Sequence, residues 1–311
     1  AKGQKRMNDT ENQTTERPVY LLGETLLSIY LAFRLASAGE NPVIVTPPKT
    51  NRPDKVDITI KEAQTLKKHK FTYTTAAYTF SPGKMLLITS PSISFKSELM
   101  LLSPRSLAAS PIVIFSPLHD ISVAETLLGK SLIRGCFDGW LQNGNQTVSV
   151  LGETPRISLV KNYTGLEACL ASLSLLHRTG LECQTTENGP QAFWEHFAVQ
   201  ALGSILSAYY QQNIFNIAKN KEKQREIGVL AAELSALARS EGAELKPENI
   251  VNALLNIPLH YSFPAQSLDS AAVSELNRYY RTLINLASAA KLHLPGLNRL
   301  MKEIYFRINS F

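Results

Sequence analysis

The chain of 311 residues lacks an uninterrupted hydrophobic run of about 18 residues, so the sequence predicts no membrane-spanning segment. Cysteine is scarce. Cys136, Cys169 and Cys183 are odd in number and lack metal-ligand spacing, so we expect neither a disulfide framework nor a metal site. This cysteine usage favours a reducing, cytoplasmic location. Cys169 lies in an apolar periodic stretch and is predicted to belong to the core.

The excess of positive over negative residues is also small, because 32 Lys and Arg and 26 Asp and Glu give a formal net charge of +6. No run of basic residues alternates with aromatic residues, so we predict no nucleic-acid partner and no membrane partner. The mild positive charge fits an anionic small molecule or an ordinary solvated surface. Residues 1–17 are polar and lack the apolar stretch of a signal peptide, so they are predicted to form a disordered tail.

Four short apolar runs in the first half have the length of buried strands, and helix-length segments or loops separate them: residues 19–23, 42–46, 84–90 and 111–115. This order predicts βαβ units with a parallel sheet. Residues 131–152 differ, because two apolar-aromatic runs flank Asn143-Gly144, a strong hairpin signal. Residues 156–161 are predicted to continue as a strand.

From about Pro190 the apolar spacing is helical, in segments beginning near residue 193 and covering 222–245, 247–258, 270–292 and 296–308. The sequence therefore predicts an α/β domain at 18–188, followed by an all-α domain at 189–311.

The stretch VYLLGETLLS (19–28) has the strand, turn and helix start of a dinucleotide-binding unit, but it lacks the three-glycine motif. Gly23 fits the tight turn, and Ser28 is small enough for the third glycine position. Thr25 stands where the second glycine lets the backbone approach a pyrophosphate, and Glu24 adds a negative charge beside it. We therefore expect weak binding of a nicotinamide cofactor, with an ordinary strand-to-helix turn as the alternative.

The order of these features resembles the ketopantoate reductase family. The matching stretches are VYLLGETLLS, QAFWEHFAVQ and HYSFPAQSLDSAAVSELNRYY. The resemblance implies a Rossmann-like domain with a late β-hairpin and a helical domain like the C-terminal domain of 6-phosphogluconate dehydrogenase. It also implies NADPH-dependent reduction of a small 2-oxo acid, namely ketopantoate, in pantothenate biosynthesis. A homodimer formed through the helical domain is left open.

The resemblance also suggests the residues of the site. His196 takes the position of the family's lysine proton donor, Gln200 that of an asparagine, and Glu275 that of the substrate-binding glutamate. Phe263 stands at the catalytic serine position, and Ser262 lies one residue earlier. A nearby Glu275 would raise the pKa of His196. A structural histidine and a surface carboxylate remain the alternatives for His196 and Glu275.

The first domain departs further from the family. Lys49 or Arg52 would have to replace the arginine that binds the 2′-phosphate. Ser90 stands near the position of the lysine that ends the third core strand, and Pro117 at that of the substrate-side asparagine. These departures favour a second hypothesis, a catalytically degenerate relative that acts as a metabolite-binding or partner-binding protein.

Overall fold

A computed structural model describes residues 17–46, 55–62, 67–76, 83–89, 111–115, 126, 132–160 and 165–309. The first part contains these elements: β1 (Val19–Leu22), α1 (Leu26–Ser37), β2 (Pro42–Val45), β3 (Lys55–Glu62), β4 (Lys67–Ala76), β5 (Met85–Ile88), β6 (Ile112–Ile114), β7 (Ile133–Gly144), β8 (Thr147–Val160), α2 (Leu166–Arg178) and β9 (Glu182–Thr186). The second part is helical: α3 (Gly189–Tyr210), α4 (Ile214–Lys219), α5 (Lys221–Ser240), α6 (Pro247–Leu255), a three-ten helix (Pro264–Ser267), α7 (Ser270–Ala289) and α8 (Pro295–Ile308).

The four predicted strands are confirmed as β1, β2, β5 and β6, which lie side by side in parallel. They are short apolar runs whose side chains are almost all buried, as expected for a parallel sheet covered on both faces. The predicted Rossmann-like sheet followed by a helical domain is thus the observed fold. Three strands were not predicted: β3 and β4, which form an antiparallel pair between β2 and β5 in the chain, and β9.

The predicted hairpin is present, but its turn was placed two residues too early. Gly144 is the last residue of β7 and pairs with Thr147, so the turn consists of Asn145 and Gln146. Gln146 adopts a positive φ of 49°. The Asn-Gly dipeptide therefore ends the strand, because the register of the two paired strands, rather than the local dipeptide, sets where the chain reverses.

Helix α1 is enclosed by strands. The sheet has the order β3-β4-β2-β1-β5-β6-β7-β8-β9, and β3 also pairs in parallel with β8, which closes the circuit. All residues of α1 from Ser28 to Leu35 are buried except Arg34. The Tyr30 ring packs edge-on against Phe137 of the hairpin, with 6.3 Å between centroids. Because α1 is enclosed, the position of the turn between β1 and α1, which begins at Gly23, is fixed relative to the sheet.

A second apolar core fills the helical part, and α3 runs through it with buried residues on every side from Phe197 to Ala208. The five helices predicted from periodicity are confirmed as α3, α5, α6, α7 and α8. None of the helices that the structure describes is long and apolar enough to cross a membrane. Since β9 ends at Thr186 and α3 begins at Gly189, we propose the domain boundary that the sequence predicts, between residues 188 and 189.

The contact between α3 and Phe263 gives a test of the helical core. A Cβ atom at Gly203 would overlap the Phe263 ring, which is buried, so Gly203→Ala should lower the free energy of unfolding by about 1–3 kcal/mol. Gly228 in α5 has open space around it, so Gly228→Ala should stabilise by up to about 1 kcal/mol. Urea unfolding of both variants measures this difference. Equal effects of the two changes would contradict the packing described.

Candidate functional site

The two halves of the molecule meet where the β7–β8 hairpin packs on α3. Phe137 faces α1, and Gly139 shares that face, because a Cβ at Gly139 would lie 2.9 Å from the Phe137 ring. The side chains that alternate with them, Asp138 and Trp140, therefore face α3. The Trp140 ring lies 6.5 Å from the His196 ring, between centroids. An irregularity in strand pairing falls between Asp138 and Trp140.

Trp140, Tyr261 and Phe263 form an aromatic group beside His196. The Trp140 centroid lies 4.6 Å from that of Tyr261 and 6.1 Å from that of Phe263. Tyr261 and Phe263 belong to the loop before the three-ten helix, and both are buried. This group brings the hairpin, α3 and the loop before α7 together at one place.

His196 is half-buried on α3, and burial lowers the pKa of its imidazole. The negative charge of Asp138 acts in the opposite direction without cancelling the effect of burial. The expected rise in the pKa caused by Glu275 was therefore wrong. Desolvation disfavours the charged imidazolium, and the carboxylate that acts on it comes from the hairpin.

Glu275 lies on α7 beside Tyr261 and accepts a hydrogen bond from Tyr279. Burial raises the pKa of this carboxyl, while the Arg278 charge and the Tyr279 hydroxyl partly offset the effect. Burial also raises the pKa of both tyrosines. The structure thus places Glu275 among buried hydroxyl and aromatic groups near the aromatic group, rather than on an open helix surface.

The remaining two residues expected on the substrate side have different surroundings. Gln200 is half-buried on α3, one helical turn after His196. Ser262 is exposed, and its Oγ lies 3.4 Å from the Asn213 amide nitrogen. Phe263 occupies the serine position of the family motif and is packed against Gly203 in the core. The residue at the family's serine position therefore supplies no hydroxyl group. The neighbouring Ser262 is exposed on the surface of this loop.

In the turn after β1, side chains of the turn form hydrogen bonds with backbone N–H groups of the same turn. Gly23 has a φ of 94°, which the tight turn requires, and Thr25 is the N-cap of α1. The Thr25 Oγ1 accepts the Ser28 N–H at 3.1 Å, and the Ser28 Oγ accepts the Thr25 N–H at 2.9 Å. Thr89, directly after β5, places its hydroxyl 3.1 Å from Thr25 Oγ1 and 2.9 Å from Ser28 Oγ.

This hydroxyl network, made by Thr25, Ser28 and Thr89, bears on the fit of a dinucleotide. Two of the N–H groups that would face a pyrophosphate are already bonded, and a Cβ stands at the second glycine position. Glu24 is exposed beside the turn, and its carboxylate accepts a hydrogen bond from the Tyr73 hydroxyl at 2.7 Å. Gly23 and Ser28 still meet the two other requirements of the motif, so the turn fits the cofactor only loosely.

Four positions compared with the family in the first domain lie outside the described residues: Lys49, Arg52, Ser90 and Pro117. Within the described ranges, no group of three or more His, Cys, Asp or Glu side chains could hold a metal ion. Cys169 is buried, as predicted, and burial raises the pKa of the Cys136 thiol to about 12.

Sequence reasoning missed Asp138 and Trp140. Both lie in the stretch FDGW, where they alternate with Phe137 and Gly139. Because side chains of a strand alternate between its two faces, Phe137 and Gly139 share one face, and Asp138 and Trp140 share the other. Nothing in the sequence, however, indicated that the second face would meet His196, because that contact depends on how the two domains pack.

Comparison with known proteins gives a family for the helical part. The sequence pattern of the family described as "Ketopantoate reductase PanE/ApbA C terminal" matches residues 190–306. The helical part of the chain is therefore similar to the C-terminal domain of ketopantoate reductases. The resemblance first seen in short stretches is therefore confirmed across nearly the whole helical domain. Among curated proteins, none matches the chain.

Solved structures share the fold over both domains. D-mandelate dehydrogenase with NADH and anilino(oxo)acetate has a TM-score of 0.77 and 11% identity, with 94% of this chain and 99% of that chain covered. A PanE/ApbA family ketopantoate reductase from Ralstonia eutropha JMP134 has a TM-score of 0.74, 16% identity and the same coverage. Dimeric ketopantoate reductase from Staphylococcus aureus has a TM-score of 0.72 and 12% identity, again covering 94% and 99%. At these identities the likeness establishes the fold.

The lowered pKa of His196 predicts a dependence of stability on pH. Below about pH 6.5 an unfolded histidine gains a proton that buried His196 resists, so the free energy of unfolding should fall as the pH drops through this value. His196→Gln should remove that part of the fall, while His293→Gln, at an exposed position, should keep it. Urea unfolding at pH 7.5, 6.5 and 5.5 measures the dependence. An identical pH dependence in all three proteins would show that burial does not perturb His196.

Proposed function

We propose that the chain is an oxidoreductase that reduces a small 2-oxo acid at the junction of the hairpin and the helical domain. The observation that carries this proposal is the position of His196 and Glu275. They come from helices far apart in the chain, and both lie next to the aromatic group. His196 is beside Trp140, and Glu275 is beside Tyr261. A proton donor and a substrate-binding carboxyl are the two groups that the family resemblance requires in the helical domain.

In this proposal His196 donates a proton to the oxygen of the substrate carbonyl as it becomes an alkoxide. Glu275 binds the polar end of the substrate, and burial raises the pKa of its carboxyl. Arg134 alternates with Cys136 and Asp138 on the α3-facing side of β7 and supplies positive charge for the substrate carboxylate. Trp140 covers this place and limits the access of water.

A nicotinamide cofactor would supply the hydride, and the turn from Gly23 to Ser28 would hold its phosphates. We propose NADPH first, with NADH as the other cofactor to test, and we keep Lys49 and Arg52 as the proposed contacts for a 2′-phosphate. Ketopantoate is the first substrate to test. Phenylglyoxylate, whose reduction gives mandelate, is the second, because aromatic side chains surround the place. The cytoplasmic location, the pantothenate pathway and a homodimer stay predictions.

A second candidate function is that of a catalytically degenerate relative that binds a metabolite or a protein partner. Two observations favour it. The hydroxyl network occupies donors that a pyrophosphate would use, and Phe263 fills the serine position with a buried ring. The two candidates differ in one measurable property, which is turnover of a 2-oxo acid in the presence of either nicotinamide cofactor.

Cofactor binding is expected to be weak because Thr25 obstructs the phosphate approach. Thr25→Gly removes the Cβ and the capping hydroxyl, so it should increase the affinity for NADPH or NADH while costing only a few tenths of a kcal/mol in stability. Thr25→Ser keeps both features and should leave the affinity unchanged. Isothermal titration calorimetry with each cofactor makes the comparison. Submicromolar affinity in the unmodified protein would contradict the expectation and favour the enzyme.

Loss of His196 tests the proton donor. His196→Ala should lower kcat for a 2-oxo acid by about 10²–10⁴-fold, the usual contribution of general acid catalysis. The protonated donor is depleted as the pH rises, and its lowered pKa should make the wild-type rate fall already below neutrality. Steady-state kinetics from pH 5 to 8 measure both effects. An unchanged kcat in the variant would make His196 structural. Absence of turnover in the wild type with both cofactors would leave the second candidate.

A further inference from the structure

Glu24 stands apart from the hydroxyl network in the turn after β1. Its carboxylate accepts a hydrogen bond from the Tyr73 hydroxyl at 2.7 Å, although the two residues are 49 positions apart in the chain. Glu24 is exposed, so its negative charge lies at the solvent-facing start of α1. The start of a helix attracts anions, and a carboxylate that is already there competes with an anionic ligand.

Tyr73 fixes the direction of the Glu24 side chain. Its ring is only 3% exposed and lies 6.4 Å from the Phe71 ring, between centroids. Phe71, on the same face of β4, packs edge-on against Phe33 of the enclosed helix α1 at 5.8 Å. A ring packed in this way has little freedom to move, so its hydroxyl is a fixed donor. The Glu24 carboxylate is therefore directed toward β4.

Strand β4 lies on one side of the turn only. The order of neighbouring strands is β4-β2-β1-β5, and β4 pairs with the end of β2, where Ala76 is opposite Val45. In a dinucleotide-binding unit the pyrophosphate lies at the helix start, and the adenosine ribose is bound at the end of the second strand, about 20 residues after the turn. That strand is β2 here, so the Glu24 carboxylate is directed to the ribose side of the turn.

We propose that Glu24 is a specificity-determining residue that accepts hydrogen bonds from the adenosine ribose and repels a 2′-phosphate, with Tyr73 as its positioning residue. The inference rests on the part of the proposed function that places a nicotinamide cofactor at this turn, and it deepens that part. The family resemblance implies NADPH, whereas the Glu24 charge favours NADH. A doubly charged phosphate within about 7 Å of a carboxylate loses about tenfold in affinity even when water surrounds both groups.

Two adenosine fragments that differ only in the 2′-phosphate test the selection in the whole protein, namely adenosine 5′-monophosphate and adenosine 2′,5′-bisphosphate. Titrations followed by NMR of the fragments give both dissociation constants without any turnover. The monophosphate should bind the wild type about tenfold more tightly than the bisphosphate, and Glu24→Gln should remove this preference. Tyr73→Phe, which keeps the ring, should reduce the preference. Glu248→Gln, at an exposed carboxylate on α6, is the matched control and should keep the wild-type ratio.

Tighter binding of the bisphosphate to the wild type overturns the proposal, and it is the result expected if Lys49 and Arg52 hold a 2′-phosphate. The same ratio in the wild type and in Glu24→Gln, or no binding of either fragment, overturns it as well.

Turnover of a 2-oxo acid is measured separately, so the two proposals fail in different ways. Turnover with equal kcat/KM for NADH and NADPH, unaltered in Glu24→Gln, supports the proposed function and refutes the selection. A fragment preference that disappears in Glu24→Gln, without turnover in the wild type, refutes the proposed reduction and leaves the selection standing.

Discussion

The packing of one strand between two helices determines the relation between the halves of this molecule. Along β7, Phe137 packs on the enclosed helix α1, and the alternate side chains face α3. Successive residues of a strand point to opposite faces. A shift of β7 that improves its packing on α1 therefore also changes which side chains contact α3. Gly139 is the position where this constraint is tightest, since a side chain there would overlap both Pro155 and Phe137. The position of His196 relative to the sheet therefore depends on the hairpin.

The turn after β1 shows how a binding motif is altered without loss of the fold. A helix start has N–H groups without partners inside the helix, and either a phosphate or a capping side chain satisfies them. Here Thr25 and Ser28 bond each other's backbone, and Thr89 extends the bonding to the neighbouring strand. Such a cap contributes about 1 kcal/mol to stability with no ligand present. The same residues that stabilise the free protein therefore compete with a cofactor for the same donors.

The sequence predicted the elements that have a clear period and missed those whose pattern is mixed. Buried parallel strands such as β1 and β5 are continuous apolar runs, and α5 and α7 have regular apolar spacing. Strand β4 has the sequence KKHKFTYTTA, and its first four residues are polar, so the sequence shows no apolar run of strand length. This strand pairs with β2 at one end only. The tight turn at Gly23 could be predicted from spacing alone, since the motif is local. The neighbours of His196 could not, because Trp140 reaches it only after the two domains pack together.

The pairing of β3 with β8 joins segments far apart in the chain, with Thr59 opposite Thr147 and Glu62 opposite Val150. Closing a loop of that length costs conformational entropy before the new contacts compensate for it, so such pairings form slowly. The helices α5 and α6, by contrast, are neighbours in sequence and pack on each other. The helical domain should accordingly assemble early, and the enclosure of α1 should be among the last events of folding. During synthesis, α1 and the strands of the first domain would then wait for the hairpin to emerge before their apolar faces are covered.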